Sequence, residues 1–253
     1  MEPLYQAMDC QVDSYVDCST FTKINLRLPM VAQVYAAMRS HIIELAWRPG
    51  QFIAKADIAE ALGVSQSPVR EALLKLEADG LVEIVPRSRT VVTFIDTRHA
   101  VEAQFLRVCI EVEVVRTIAN GKIFGAAATD FESILKHQEF CASQGDLAGF
   151  SACDNEFHAR LCRLAGVEGL WSVVMARRSH IDRLRSLDLP SQGKVEAVLR
   201  DHQAILAALR EGNAEKAEAA VRAHLAGTLG RVERLKARHP ECFGPNEEIR
   251  QTS

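Results

Sequence analysis

Apolar residues recur at helical spacing in two short neighbouring segments of the chain. In the first segment the apolar positions are Ile58, Ala59 and Leu62. Gly63 follows them, and a residue without a Cβ can adopt the left-handed conformation that ends a helix. For the second segment we expect Ser67 to act as N-cap and Pro68 to take the first helical position. Its apolar stripe is Val69, Ala72, Leu73 and Leu76. The pattern therefore predicts two helices joined by a tight turn.

The polar face of the second helix is concentrated at its N-terminal end. It carries Gln66, Ser67, Arg70, Glu71 and Lys75. A DNA-contacting helix of a helix-turn-helix places this end in the major groove. An earlier apolar pattern predicts a helix that contains Val34 and Met38 and ends at Arg48-Pro49-Gly50. The three helices together are typical of a small DNA-binding domain.

A β-hairpin is predicted directly after Gly80. Val82–Val85 and Thr90–Phe94 are rich in β-branched and aromatic residues, and they flank the turn Pro86-Arg87-Ser88-Arg89. This arrangement predicts a two-stranded wing with two arginines at its tip.

The second half of the chain shows helical patterns and no strand alternation. Six helices are predicted at 97–119, 126–143, 146–164, 167–187, 193–211 and 214–237. Short joints that contain glycine, asparagine or proline separate them, and the amphipathic stripes predict an antiparallel helical bundle. The fold class is therefore mainly α, with a winged helix-turn-helix followed by an all-helical domain. The predicted parts are a flexible tail at 1–28, a DNA-binding domain at 29–95, a helical domain at 96–237 and a C-terminal tail at 238–253.

Composition adds limits on location and partners. The 253 residues are 48% hydrophobic, enough for two domains, and no apolar run is long enough for a transmembrane helix. The N-terminus is acidic and lacks the apolar core of a signal peptide. Seven cysteines without a C-x-x-C pair indicate reduced thiols and a cytoplasmic protein. Net charge is −3, so DNA binding would depend on placement of charges and on dimerisation.

Four residues are spaced as metal ligands. Asp154 and His158 are four apart on one helix, so both point from the same face. His202 and His224 lie equally far from the joint at Asn213, which puts them at equal height in an antiparallel pair. This set suits Zn²⁺, with Ni²⁺ or Mn²⁺ as alternatives. The competing interpretation is a surface Asp/His pair with structural histidines. The remaining histidines do not join the pattern: His41, His99, His137, His180 and His239.

Residues 30–92 resemble the winged helix-turn-helix domain of the GntR family of bacterial transcription regulators. The matching features are the Arg-Pro-Gly turn, LGVSQSPVREAL and GLVEI. Family members often have arginine where this chain has Ala56 or Gln66 and glycine where it has Arg89, so the bases contacted are expected to differ. The residues expected to contact DNA are Lys55, Gln66, Ser67, Arg70, Lys75, Arg87 and Arg89.

Residues 97–236 resemble the metal-binding type of the FCD effector domain, found in the FadR subfamily of GntR regulators. The resemblance is carried by DNEFH, DHQAIL and RAHL. It implies that Asp154, His158, His202 and His224 are the metal ligands. It also implies that Arg107 faces an effector pocket, where its guanidinium and the metal would hold a small carboxylate. The alternative for Arg107 is a simple helix-surface pair with Glu111.

These patterns predict a ligand-responsive transcription regulator rather than an enzyme. The expected form is a repressor that binds a pseudo-palindromic operator in double-stranded DNA as a homodimer, with no membrane partner. Two alternatives remain. One is a metal-dependent hydrolase that uses the Asp-His₃ site, against which stands the lack of a clear general base. The other is a DNA-bound structural protein whose metal only holds the bundle together.

Overall fold

The computed structural model describes residues 14–21, 24–25, 27–86 and 88–244. The chain divides into two compact units between Phe94 and Ile95. Within the described residues, regular structure is helical except for one two-stranded sheet. None of the described helices is long and apolar enough to cross a membrane.

The N-terminal unit is built on three helices. They are α1 (Met30–Ile43), α2 (Lys55–Leu62) and α3 (Gln66–Ala78). Their apolar stripes meet in one core around Val34, Ile58 and Leu73, and the Trp47 side chain is fully buried there. Gly63 follows α2 with φ +68°, which confirms its predicted role as a left-handed terminator.

Helix α3 begins earlier than predicted. Its N-cap is Ser65, so the assignment of Ser67 as N-cap and of Pro68 as first helical residue is wrong. Pro68 lies instead within the first turn, where no backbone N–H has a partner inside the helix. The missing proline donor is therefore tolerated at this position as well.

The predicted wing is present, with shorter strands. Strand β1 (Val82–Ile84) pairs antiparallel with β2 (Thr90–Val92). The Val85 N–H donates to Arg89 O at 2.8 Å and closes the turn. Arg87, which the sequence predicts at the wing tip, lies outside the described residues.

Part of the predicted N-terminal tail packs against this unit. Val16 is 7% exposed, and its N–H donates to Phe52 O at 2.9 Å. Trp47 Nε1 donates to Asp17 O at 2.8 Å. The prediction of a flexible tail is therefore wrong for 14–21, because Val16 covers an apolar edge of the core. Residues 1–13 lie outside the described residues.

The C-terminal unit is an all-helical bundle, as predicted. Its helices are α4 (Thr97–Gly121), α5 (Ala128–Ser143), α6 (Leu147–Leu164), α7 (Glu168–Arg177), α8 (Ser179–Asp188), α9 (Lys194–Arg210), α10 (Ala214–Leu229) and α11 (Val232–Arg238). Its central core includes Phe131, Phe157 and Ile205 from three of these helices. The tail predicted from 238 is also packed at its start, since Cys242 and Phe243 are buried.

Two predicted helices are each divided in the structure. The helix expected at 167–187 breaks at Arg178, whose ψ is 8°. The sequence has no glycine or proline there, and the Arg178 guanidinium is held by Asp182 at 2.7 Å and lies over the Trp171 ring. The helix expected at 214–237 breaks at Gly230, which lacks the Cβ that favours a helical interior.

Candidate functional site

Four side chains with metal-ligating atoms converge inside the bundle. They are Asp154, His158, His202 and His224. One donor atom from each lies within 4.8 Å of the others, and all four residues are buried. Helix α6 supplies the first two from adjacent turns, and α9 and α10 supply one histidine each across their hairpin. The structure thus brings the predicted set together; we name it the Asp-His₃ cluster.

Neighbouring side chains fix which ring nitrogen faces into the cluster. His158 Nδ1 lies 2.6 Å from Glu111 Oε2, and a carboxylate can only accept, so Nδ1 carries the proton. His202 Nδ1 lies 2.9 Å from Gln138 Oε1. The Gln138 amide nitrogen donates to Phe150 O, so its oxygen is the atom turned toward His202. Both histidines therefore present an unprotonated Nε2 to the interior.

The third histidine, His224, has no hydrogen bond at Nδ1 among the described residues. Its Nδ1 faces Asp201 Oδ2 at 3.5 Å, and its Nε2 lies 3.2 Å from His158 Nε2. The buried His202 Nε2 and Asp154 Oδ1 have no hydrogen-bond partner among the described residues. Four buried nitrogen and oxygen donors thus converge in the interior of the cluster. A divalent metal at their centre would satisfy the atoms that lack a partner, so the residues fit such an ion.

Burial and neighbouring charges keep the side chains of the cluster in the protonation states that bind a metal. Burial lowers the pKa of His158 and of His202, so the neutral imidazole is favoured. Burial alone would raise the pKa of Asp154. The guanidinium of Arg185, 2.7 Å from Asp154 Oδ2, opposes this most strongly, and together with His158 and His202 it holds the pKa of Asp154 well below its usual range. Asp154 is therefore an anion, as a metal ligand requires.

Arg107 lies beside the cluster and is 3% exposed. Its Nε is 2.7 Å from Glu111 Oε1, and Glu111 in turn contacts His158. The alternative of a solvent-exposed pair is excluded by this burial. Arg107 Nη2 is also buried and has no hydrogen-bond partner among the described residues. The Arg107 guanidinium thus donates to Glu111 through Nε, while its Nη2 has no acceptor among the described residues.

A small cavity of about 20 Å³ adjoins the cluster. Arg107, Arg185, Lys194 and His224 are among its lining residues. A space of this size holds about one water molecule. Three cationic side chains around it favour an anion, although Arg185 and Lys194 are already paired with carboxylates. A ligand larger than water requires the cavity to widen.

Those predicted DNA-contacting residues that the structure describes are exposed on the N-terminal unit. On α3 the exposed residues include Gln66, Ser67, Arg70 and Lys75, and on α2 Lys55 is exposed. Val69, Ala72 and Leu73 are buried on the opposite face of α3. Arg89 is exposed at the end of the wing turn, with its guanidinium 5.1 Å from the centre of the Phe52 ring.

Comparison with known protein families settles the class of this chain. Residues 30–92 match the model described as "Bacterial regulatory proteins, gntR family", and residues 102–227 match that of the FCD domain. A Streptomyces ambofaciens HTH-type transcriptional regulator from an unstable DNA locus is 31% identical over 83% of this chain and 88% of its own. The chain belongs to the GntR family. Its FCD domain is consistent with the FadR-like subfamily.

Further relatives agree with this GntR assignment. The Escherichia coli K12 repressor RspR is 27% identical over 88% of this chain and 97% of its own length. The solved structure of E. coli McbR/YncC superposes with a TM-score of 0.69 at 17% identity, over 84% of this chain and 99% of the other, and supports the fold. The chain is therefore a DNA-binding transcription regulator and not an enzyme. Nothing in these relatives supports the hydrolase alternative.

Sequence reasoning about this GntR regulator missed several residues around the cluster. Asp201 directly precedes His202, so its proximity to the metal-ligating set had a signal in the sequence. Gln138 and Lys194 had none, because each reaches the site from another helix. Their roles depend on how the helices are packed, which hydrophobic periodicity does not specify.

Proposed function

We propose that this protein is a metabolite-responsive repressor with a metal-dependent effector site in its helical domain. The single observation that carries the proposal is the buried convergence of one carboxylate and three imidazole rings. A GntR regulator that only held DNA would not need such a costly arrangement, because unpaired polar atoms in a core are destabilising.

The metal would be held by Asp154, His158, His202 and His224. Zn²⁺ is the expected ion, with Ni²⁺ or Mn²⁺ as alternatives, since nitrogen and oxygen donors suit all three. When bound, the ion supplies a Lewis-acidic position for an effector oxygen. Glu111, Gln138 and Asp201 orient the three imidazoles from outside, as hydrogen-bonded second-layer residues do around protein metals.

The effector we propose is a small carboxylate. Arg107 has a buried donor without a partner, and it lines the same cavity as His224. A carboxylate in this cavity would satisfy that donor through a charge-assisted hydrogen bond. Because the cavity holds about one water, effector binding must widen it. The widened bundle is then the conformation that distinguishes the effector-bound protein from the free protein. This argues against the alternative in which the metal serves only the stability of the bundle.

DNA is proposed to bind to the exposed N-terminal half of α3 and to the wing. A single short helix contacts too few base pairs for useful specificity, so we propose a homodimer on a pseudo-palindromic operator. Helix α4 exposes an apolar stripe of Val101 and Phe105, which are 54% and 73% exposed, next to the exposed Cys109. We assign this stripe to the contact between two copies, because large apolar side chains are rarely left in water without a partner.

Metal analysis tests the core of this proposal. His202→Ala and His224→Ala should each remove one metal ion per chain relative to the wild type. They should also lower the melting temperature, because the ligands join α6 to the α9–α10 hairpin. His239→Ala, outside the cluster, is the matched control and should retain full metal content. Unchanged metal content in both cluster variants would show that these histidines are not ligands.

A further inference from the structure

A second group of metal-ligating side chains lies in the α5–α6 hairpin. His137 and Cys141 are one turn apart on α5, and Cys153 lies on α6. His137 and Cys153 are equally far along the chain from Gly145 at the joint, so the antiparallel pair puts them at one height. One donor atom from each of the three lies within 4.8 Å of the others. None of these atoms belongs to the Asp-His₃ cluster.

The backbone of Gly149 closely approaches the sulfur of Cys141. A Cβ at Gly149 would lie 2.9 Å from Cys141 Sγ and would also collide with Asp146 Oδ2. The Asp146 carboxylate uses Oδ1 to accept the Gly149 N–H at 2.9 Å, while Oδ2 lies on the side of the thiol. The Asp146 carboxylate therefore lies near the sulfur of Cys141, and its negative charge favours a cation there.

Simple core packing accounts for only part of this group. Cys141 and Cys153 are buried against Phe150, and cysteine often serves as a small apolar core residue. Packing does not require His137, which is exposed yet has a ring nitrogen within reach of both sulfurs. The exposed imidazole places one of the three potential donors at the protein surface.

We propose that His137, Cys141 and Cys153 form a second metal site, which takes a thiophilic ion of the Zn²⁺ class. Two thiolates and one imidazole are the donors that such ions prefer, with metal–sulfur bonds of about 2.3 Å. Solvent occupies the fourth position, on the exposed side of His137. The site joins α5 to α6.

The second site would also support the first. His137 precedes Gln138, which contacts His202, and Cys153 precedes Asp154. An ion that fixes the spacing of α5 and α6 therefore fixes two residues of the Asp-His₃ site, one ligand and one orienting side chain. Occupancy of the two sites is expected to be cooperative.

Cobalt titration separates the two sites because the Asp-His₃ cluster contains no sulfur. Co²⁺ is added to reduced, chelator-treated full-length protein, and sulfur-to-cobalt charge-transfer absorption is followed. This absorption should saturate at one ion per chain in the wild type and in His202→Ala. The double variant Cys141→Ser/Cys153→Ser should lose it completely. Cys109→Ser, which removes an exposed thiol on α4, is the control and should retain it.

The proposal is overturned if the wild type shows no charge-transfer absorption, or if the absorption survives the double substitution. Loss of the signal in Cys109→Ser would overturn it as well. Should the double variant fail to fold, His137→Ala replaces an exposed side chain and leaves the core intact. It should weaken Co²⁺ binding at the sulfur site at least about tenfold. Unchanged Co²⁺ affinity in that variant would mean that the two thiols serve only in core packing.

Discussion

Arg70 is the residue whose replacement should best separate DNA contact from folding. It is exposed near the start of α3, whereas its neighbour Val69 is fully buried. Arg70→Ala should therefore leave the melting temperature unchanged. It should weaken operator binding by about 1–3 kcal/mol for each half-site, the cost of one good base contact.

A gel-shift titration at fixed salt measures this effect. Arg48→Ala removes the same charge from an exposed turn in the same unit and serves as the control. Equal operator affinities for the two variants would remove Arg70 from the set of base-contacting residues.

At the scale of elements, the wing should contribute affinity without base specificity. Arg89 lies at the end of a turn, where no helix directs it into the major groove, and the sequence predicts Arg87 in the same turn. Arg87→Ala/Arg89→Ala should weaken operator and unrelated DNA by similar factors. The salt dependence of binding should fall by about one to two phosphate contacts. A changed operator preference with the same salt dependence would instead assign base contacts to the wing.

The junction of α8 with the start of α4 should make stability depend on pH. The Asp96 N–H donates to His180 Nδ1 at 3.0 Å, and burial, with the nearby charge of Arg183, lowers the pKa of His180 to about 3. Below about pH 6.5 His180 is protonated in the unfolded chain but stays neutral in the folded protein. The free energy of unfolding should therefore be highest above pH 6.5 and fall as the pH drops toward 3.

Urea unfolding at pH 7 and pH 5 measures this contribution. The wild type should lose about 2 kcal/mol more than His180→Asn between these values, with the same metal present in both. Metal ligands contribute equally to both proteins and cancel in the comparison. Equal losses would mean that His180 is protonated in the folded state as readily as in the unfolded one.

The sequence predicted elements whose boundaries are set by local chemistry. Gly63 ends α2 as the sequence predicts. The equal spacing of His202 and His224 around Asn213 likewise predicted that they lie together. Each of these two features depends only on a short stretch of chain. The break at Arg178 was not predictable, because it depends on packing of its guanidinium against Trp171. The burial of Val16 was missed for the same reason, since its partners lie elsewhere in the chain.

At the scale of the whole molecule, Arg107 should transmit effector binding without contributing to DNA contact. Removing its charge would leave the buried Glu111 without its cationic partner, which destabilises a protein by several kcal/mol. Arg107→Lys keeps a charge near Glu111 and removes the planar fork that a carboxylate needs. This variant should bind the operator normally and lose most of its response to the effector.

The measurement is operator affinity with and without a carboxylate effector, which a thermal-shift screen identifies beforehand. Lys236→Arg, on α11 and away from the cavity, is the control and should respond as the wild type does. A full response in Arg107→Lys would leave Arg107 as a structural partner of Glu111.

The two tryptophans of the chain provide one intrinsic fluorophore for each unit. Trp47 is buried in the core of the N-terminal unit. Trp171 stacks on the His158 ring, 5.7 Å between ring centres, and two guanidinium groups lie near its ring. Emission from Trp171 is therefore sensitive to the electronic state of the imidazole beside it, and emission from Trp47 reports the unfolding of its own domain. Replacing either one with phenylalanine would yield a protein whose remaining fluorescence follows a single half of the molecule, without any attached dye.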